Sequence, residues 1–413
     1  MTDPILSTQT LYRFDNGLRL LVDPLPGQKT FALTVLIHGG ARFETEAQSG
    51  WAHLLEHMVF KGAGPRSTRE LAEAVEHKGG SLNASTGYEH TRFEVRGLAP
   101  LMPLAMEIVS DMMFRPTLDS AELKREKKVV EQEMHEAFDT PDDHVFDMLQ
   151  EAMFAQQSLG RPILGTKASL KPVMPDTLRA FAAALYDPSR MVVCVSGGIT
   201  PEDALSAARG RFDGAPPRAT LIEPAAPRFT AESRVLKRRI EQANVAMAWA
   251  TEGRLSPDNI PLKLFSEILG GGMASRLFQQ AREERGLAYD IDAWVTTYRD
   301  IGVLGISAGC AAKDVAELTD LAREVLAGLA ADPRPEELER ARAQYLTSLA
   351  FNFQDTEWRS SAFASQLSSF GKVFSFDDET AEIEAVTLDD LRRVGAGIVA
   401  QPEPASALLG PVR

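Results

Sequence analysis

The sequence predicts an α+β protein of two similar domains, each a mostly antiparallel sheet with helices packed on it. Three observations carry this reading. Short apolar stretches bounded by turn residues recur, as in Leu11–Phe14 and Leu18–Val22 around Asp15-Asn16-Gly17, a hairpin pattern. Amphipathic segments opened by capping residues alternate with them. The order of elements before a proline-rich stretch recurs after it, which gives two units of roughly 200 residues.

In chain order, the first hairpin leads to Phe31–Ile37, a buried strand. A short helix follows around His53 and His57. Ser67-Thr68-Arg69-Glu70 is a capping box that opens a helix ending at Gly79-Gly80. Residues 81–97 read as strand and 100–114 as helix. Asp119 with Glu122 caps a long helix to about Phe138, and helices follow near 141–156 and 175–186. Arg190–Ile199 is a strand and 201–212 a helix. Residues 213–230 hold four prolines, a linker composition. These features predict a first domain at 1–212, a linker at 213–230 and a second domain at 231–413. In the second, strands near 234–251 precede a helix at 259–270. Ser275–Arg285 reads as helix, Ala288–Ala308 as strand and 313–330 as helix. Glu336–Gln354 is a long helix matching 119–138, and Ala405–Leu409 is a last strand. Lys263-Leu264-Phe265-Ser266-Glu267 stands where the first half has His53-Leu54-Leu55-Glu56-His57.

The 413 residues carry 44 basic and 58 acidic side chains, a formal net charge of −14. That balance argues against nucleic acid or an anionic membrane as main partner. Cys194 and Cys310 sit in apolar stretches without a C-x-x-C spacing and read as buried thiols. The N-terminus lacks a basic region followed by an apolar run, and no 18-residue apolar span occurs, so the expected setting is cytoplasmic.

All seven histidines fall within the first 144 residues, which places any metal chemistry there. His53 and His57 are four apart, so both imidazoles leave one helix face. Glu56 lies between them, able to reach a water without itself being a ligand. This is H-x-x-E-H, the inverted zincin motif. Leu54, Leu55, Met58, Val59 and Phe60 make the segment apolar, and a metal is the partner that satisfies three polar side chains there. A catalytic site takes one more protein ligand. The long helix offers Glu126, Glu131, Glu133 and Glu136. Glu126 and Glu133 are seven apart and share a face with Val129 and Val130. Glu133 as ligand with Glu126 orienting a histidine is a coherent pair, although spacing alone does not select it. His38, His77, His90 and His135 are not read as ligands.

The chain resembles the pitrilysin family of zinc metallopeptidases, in the branch close to the mitochondrial processing peptidase. The matching stretches are Gly50–Gly62, Gly79-Gly80-Ser81-Leu82-Asn83-Ala84 and Arg125–Met134, with Leu159–Thr166 and Gly270–Tyr289 alongside. The resemblance implies that Glu133, 76 residues beyond His57, completes the site for one zinc ion per chain. It implies two α+β domains forming half of a clam-shell chamber, with a second such unit facing them. Zinc and Glu56 then activate water, with Glu56 as general base. Asn83 and Ala84 would lie along a substrate paired as an added strand. Arg282 and Tyr289 match a family pair that assists the substrate carbonyl and the tetrahedral oxyanion. Because one chain holds both the zinc motif and this pair, a homodimer is expected. The function implied is a zinc endopeptidase acting on peptides or unfolded polypeptide segments. A leader-specific processing peptidase and a non-catalytic core-type subunit are the alternatives, the latter disfavoured by the intact ligand set.

Overall fold

The computed structural model of the chain describes residues 2–4, 8–215 and 221–411. They form two compact units. One comprises Met1–Met134, Arg161–Pro224 and Phe351–Ser375; the other comprises His135–Gly160, Ala225–Ala350 and Phe376–Arg413. The contiguous division at 213–230 is therefore modified in two places, since each unit takes one segment from the other half of the sequence. Of the expected linker, residues 216–220 lie outside the described residues. Its later part is not free: the Thr230 amide donates to the Met153 carbonyl (2.9 Å), within the second unit.

The first unit is built on a seven-stranded sheet. Its order is Thr2–Pro4, Thr10–Arg13, Arg19–Pro24, Met191–Gly197, Thr30–His38, His90–Leu98 and Ser81–Thr86. All pairings are antiparallel except Arg19–Pro24 with Met191–Gly197. The second unit has five strands in the order Ser233–Lys237, Ala405–Gly410, Ala243–Thr251, Gly302–Cys310 and Ala288–Thr297. Again one pair is parallel, Ser233–Lys237 with Ala405–Gly410. In each unit the first strand of the motif pairs in parallel with the last, and the hairpin lies at the far edge. The recurrence expected from element order is thus a recurrence of topology.

The exchanged segments have a physical reason. A strand buried on both faces reads as a continuous apolar run, and both faces need cover. In the first unit Leu33, Val35, Val193 and Val195 face the large core that holds the helices of the N-terminal half. Leu36, Val192 and Cys194 face the other way, onto Phe363, Ala364 and Leu367 of the helix Thr356–Phe370. That helix is tied down by the buried Asp23 carboxylate, which takes two hydrogen bonds of 2.7 Å from Arg359. In the second unit Pro141–Met153 packs against the strands Ala405–Gly410 and Ala243–Thr251.

Most expected elements are present. Residues 81–97 and 288–308 are each a hairpin rather than one strand. The segment expected as an ordinary helix at 275–285 includes a π-helical stretch, Phe278–Glu284. Thr356–Phe370, Phe376–Ala385 and Leu388–Val399 are helices that the sequence reading did not assign.

Candidate metal centre

The motif helix runs Trp51–Val59. Ala52, Leu54, Leu55, Met58 and Val59 are fully buried in the first unit's core, so its orientation is set by burial of one face. The opposite face carries His53, Glu56 and His57. The helix Ser120–Asp139 lies across from it, started by Asp119, whose carboxylate accepts from the amides of Ala121 (2.7 Å) and Glu122 (3.0 Å). Leu123, Glu126 and Val130 of this helix are buried and Glu133 is half-buried. Val129, expected on the same face, is instead exposed. At about 100° per residue, position 129 lies well off the line joining 126, 130 and 133.

Three of the expected side chains converge. His57 Nε2 lies 3.5 Å from Glu133 Oε1, and His53 Nε2 lies 3.8 Å from Glu133 Oε2. The two imidazoles are 4.7 Å apart, centre to centre. One nitrogen or oxygen from each of the three residues falls within 4.8 Å of the others. These separations are too long for hydrogen bonds. A tetrahedral ion with bonds of about 2.0–2.1 Å spaces its ligand atoms about 3.4 Å apart. Glu133 Oε2 is buried without a hydrogen-bond partner, a costly arrangement unless a cation fills the gap. The three side chains fit a zinc ion, with His53 and His57 through Nε2 and Glu133 through its carboxylate.

Glu126, expected from the sequence to orient a histidine, lies behind His57. Its carboxylate lies 3.1 Å from His57 Nδ1 and 3.0 Å from Lys61 Nζ. This is the carboxylate–histidine arrangement that fixes a ring and its tautomer where a histidine binds a metal. Lys61, four residues after His57, was not singled out, although the same i, i+4 geometry marks it.

Glu56 stands beside these three side chains, with Oε2 accepting from Thr86 Oγ1 at 2.5 Å. Burial pushes its carboxyl above the usual range, against the hydrogen bond from Thr86 and the proximity of His57; Glu133 adds to the rise. Burial also holds His53 down to about 4, with His57 contributing, so its imidazole is neutral and available to a metal at neutral pH. Thr86 ends the strand Ser81–Thr86, which lies at the edge of the sheet. Asn83 projects from this strand to solvent, its Oδ1 accepting from the Ala84 amide (2.9 Å), while Ala84 is buried. The sequence reading noticed the strand but not Thr86. Thr86 shares a strand face with Ala84, two residues earlier, and that alternation was the available signal.

Arg282 and Tyr289 belong to the second unit and are brought together there. The Arg282 guanidinium lies 5.0 Å from the Tyr289 ring centre and 4.7 Å from that of Phe278. Tyr289 is 77% exposed.

Comparison with known proteins identifies the family. Residues 20–167 match the family described as Insulinase (Peptidase family M16), and residues 172–345 match the Peptidase M16 inactive domain. A Bacillus subtilis protein named as an uncharacterized zinc protease, YmxG, is 34% identical over 97% of this chain and 98% of its own length. A Streptomyces coelicolor protein named as an uncharacterized zinc protease is 31% identical, over 96% of this chain and 88% of its own. Among solved structures, a protease from Helicobacter pylori shares the fold, with a TM-score of 0.90 at 20% identity over 98% of this chain and 99% of that one. The chain therefore belongs to peptidase family M16, the pitrilysin family.

Proposed function

We propose that the protein is a zinc-dependent endopeptidase that hydrolyses peptides or unfolded polypeptide segments, with one zinc ion per chain. The observation that carries this reading is the position of Glu56. It lies beside the three-residue ligand set and hydrogen-bonds to the end of an open sheet edge. His53, His57 and Glu133 hold the ion, and Glu126 with Lys61 keeps the His57 ring in register. When bound, zinc supplies Lewis acidity toward the substrate carbonyl and lowers the pKa of water to about 7. Glu56 takes the proton of the attacking water and returns it to the leaving amine nitrogen. Its raised pKa suits both transfers.

Substrate backbone pairs along the outer edge of Ser81–Thr86, passing Asn83 and Ala84, so that the scissile bond reaches Glu56 near Thr86. Recognition through main-chain hydrogen bonds would give a loose sequence preference. Arg282 and Tyr289 act as donors to the substrate carbonyl and the developing oxyanion, within one chain or across a homodimer. The exposure of the Tyr289 ring supports this. A clam-shell chamber in the manner of the processing-peptidase branch completes the reading, in a cytoplasmic setting. The two buried free cysteines are consistent with that setting.

The test is cleavage of a quenched fluorescent peptide by Glu56→Gln. Zinc content is expected to stay at one per chain while kcat falls by about 10²–10⁴. Cleavage at the wild-type rate contradicts the assigned role.

A further inference from the structure

The motif helix begins without a side-chain cap. Its N-cap is Gly50, with φ +85°, and no acidic residue lies in its first turn. Gly50 is required there: a Cβ would come within 2.6 Å of the Leu164 carbonyl and 2.7 Å of Gly165 Cα. With no side chain available at position 50, the exposed amides must be satisfied from elsewhere. Glu44 does this from the preceding loop. Its Oε2 accepts from the Gly50 amide at 2.8 Å and its Oε1 from the Ala52 amide at 2.6 Å. Glu44 is only 4% exposed, and the Arg161 guanidinium donates to its main-chain carbonyl.

This placement matters electrostatically. A helix carries about half a positive charge at its N-terminus, where cations are disfavoured. His53 is the third residue of the helix, whereas His57 lies in the last turn, where a cation is favoured. The metal reading therefore asks the first turn to hold a dication at its unfavourable end.

We propose that Glu44 is a positioning residue for the metal centre: its carboxylate, laid on the first turn of the motif helix, offsets the positive end and lets His53 share a divalent cation. The proposal rests on the zinc reading above. Burial pushes the Glu44 carboxyl up to about 8, while the amides of Ala52, Gly50 and Trp51 and the charge of Arg161 pull it down. A dication held by His53 joins the second group, so metal uptake and loss of the Glu44 proton are coupled.

The experiment titrates the metal-stripped full chain with zinc alone at pH 7.5, against a chromophoric chelator. It is repeated by calorimetry in two buffers to count protons released. Glu44→Gln is expected to bind zinc about three- to tenfold more weakly, the range of a helix-terminus charge. It should also release fewer protons per zinc than the wild type. Glu44→Asp, which keeps the carboxylate, is expected to recover part of both. A merely structural cap would lower the thermal midpoint without changing the proton count. Equal affinity or an equal proton count in the Gln variant overturns the proposal. Loss of fold in both variants also overturns it, by assigning Glu44 to fold stability alone. A wild-type chain that takes up no zinc removes the metal reading itself, a result separate from any difference between the variants.

Discussion

The helices Trp51–Val59 and Asn259–Gly270 occupy the same step in the two sheet topologies, after the long central strand and before the edge hairpin. Each bears an apolar face buried in its own unit: Leu54, Leu55 and Met58 in one, Leu264, Phe265 and Ile268 in the other. In each half a long helix follows the edge hairpin and one further helix, Ser120–Asp139 or Pro335–Asn352. The difference lies in the side chains that meet. In the first unit two imidazoles face a carboxylate across a gap suited to an ion. In the second, the Lys263 ammonium lies 5.8 Å from the centre of the Tyr345 ring, and the Arg340 charge opposes the burial-driven rise of the Glu267 carboxyl. The scaffold is common to both; the chemistry resides in three residues and their supports.

Removing a ligand should break this comparison most completely. His57→Ala or Glu133→Ala is expected to take zinc from one per chain to near zero and to abolish peptide cleavage, as read by metal analysis and a peptide assay. Removing the support should act more mildly. Glu126→Gln is expected to weaken zinc binding about 10–100-fold by freeing the His57 ring, measured by chelator competition, with the fold intact by circular dichroism.

A pH series should sharpen the contrast between the units. The unfolded chain takes up a proton on His53 near pH 6.5, while the folded chain resists until about 4. The unfolded state therefore binds more protons across that window, and stability falls as pH falls through it. The zinc-free protein is expected to lose about 2 kcal/mol between pH 7 and 5 from this group. His53→Leu should flatten that slope in urea titrations. The smallest effect should come from the second unit: Lys263→Ala is expected to cost under about 1 kcal/mol and to leave zinc stoichiometry unchanged.

Much of this molecule is legible in the sequence where the signal is local. The four-residue spacing of His53 and His57 gives their shared face, Ser67 and Glu70 form the capping box, and Asp119 starts the acidic helix. What is not local was harder. Glu133 is separated from the histidines by the helices Thr68–Glu76 and Met102–Phe114 and the hairpin between them, so spacing could not choose it among four glutamates; only the family resemblance did. Glu44 reaches the start of the motif helix from the preceding loop, which no short pattern encodes. The helix Thr356–Phe370 went unassigned because its buried residues include Ser360 and Ala364 beside Phe363 and Leu367. That mixed face blurs the helical period. The same helix also covers a sheet begun more than 300 residues earlier, which no contiguous division of the chain anticipates.

The central claim is one of coordination, and X-ray absorption at the zinc edge of the loaded protein measures it directly. Two imidazole nitrogens at about 2.0–2.1 Å and at least one oxygen bound to the zinc are expected. Zinc bound by one imidazole or none would contradict the claim.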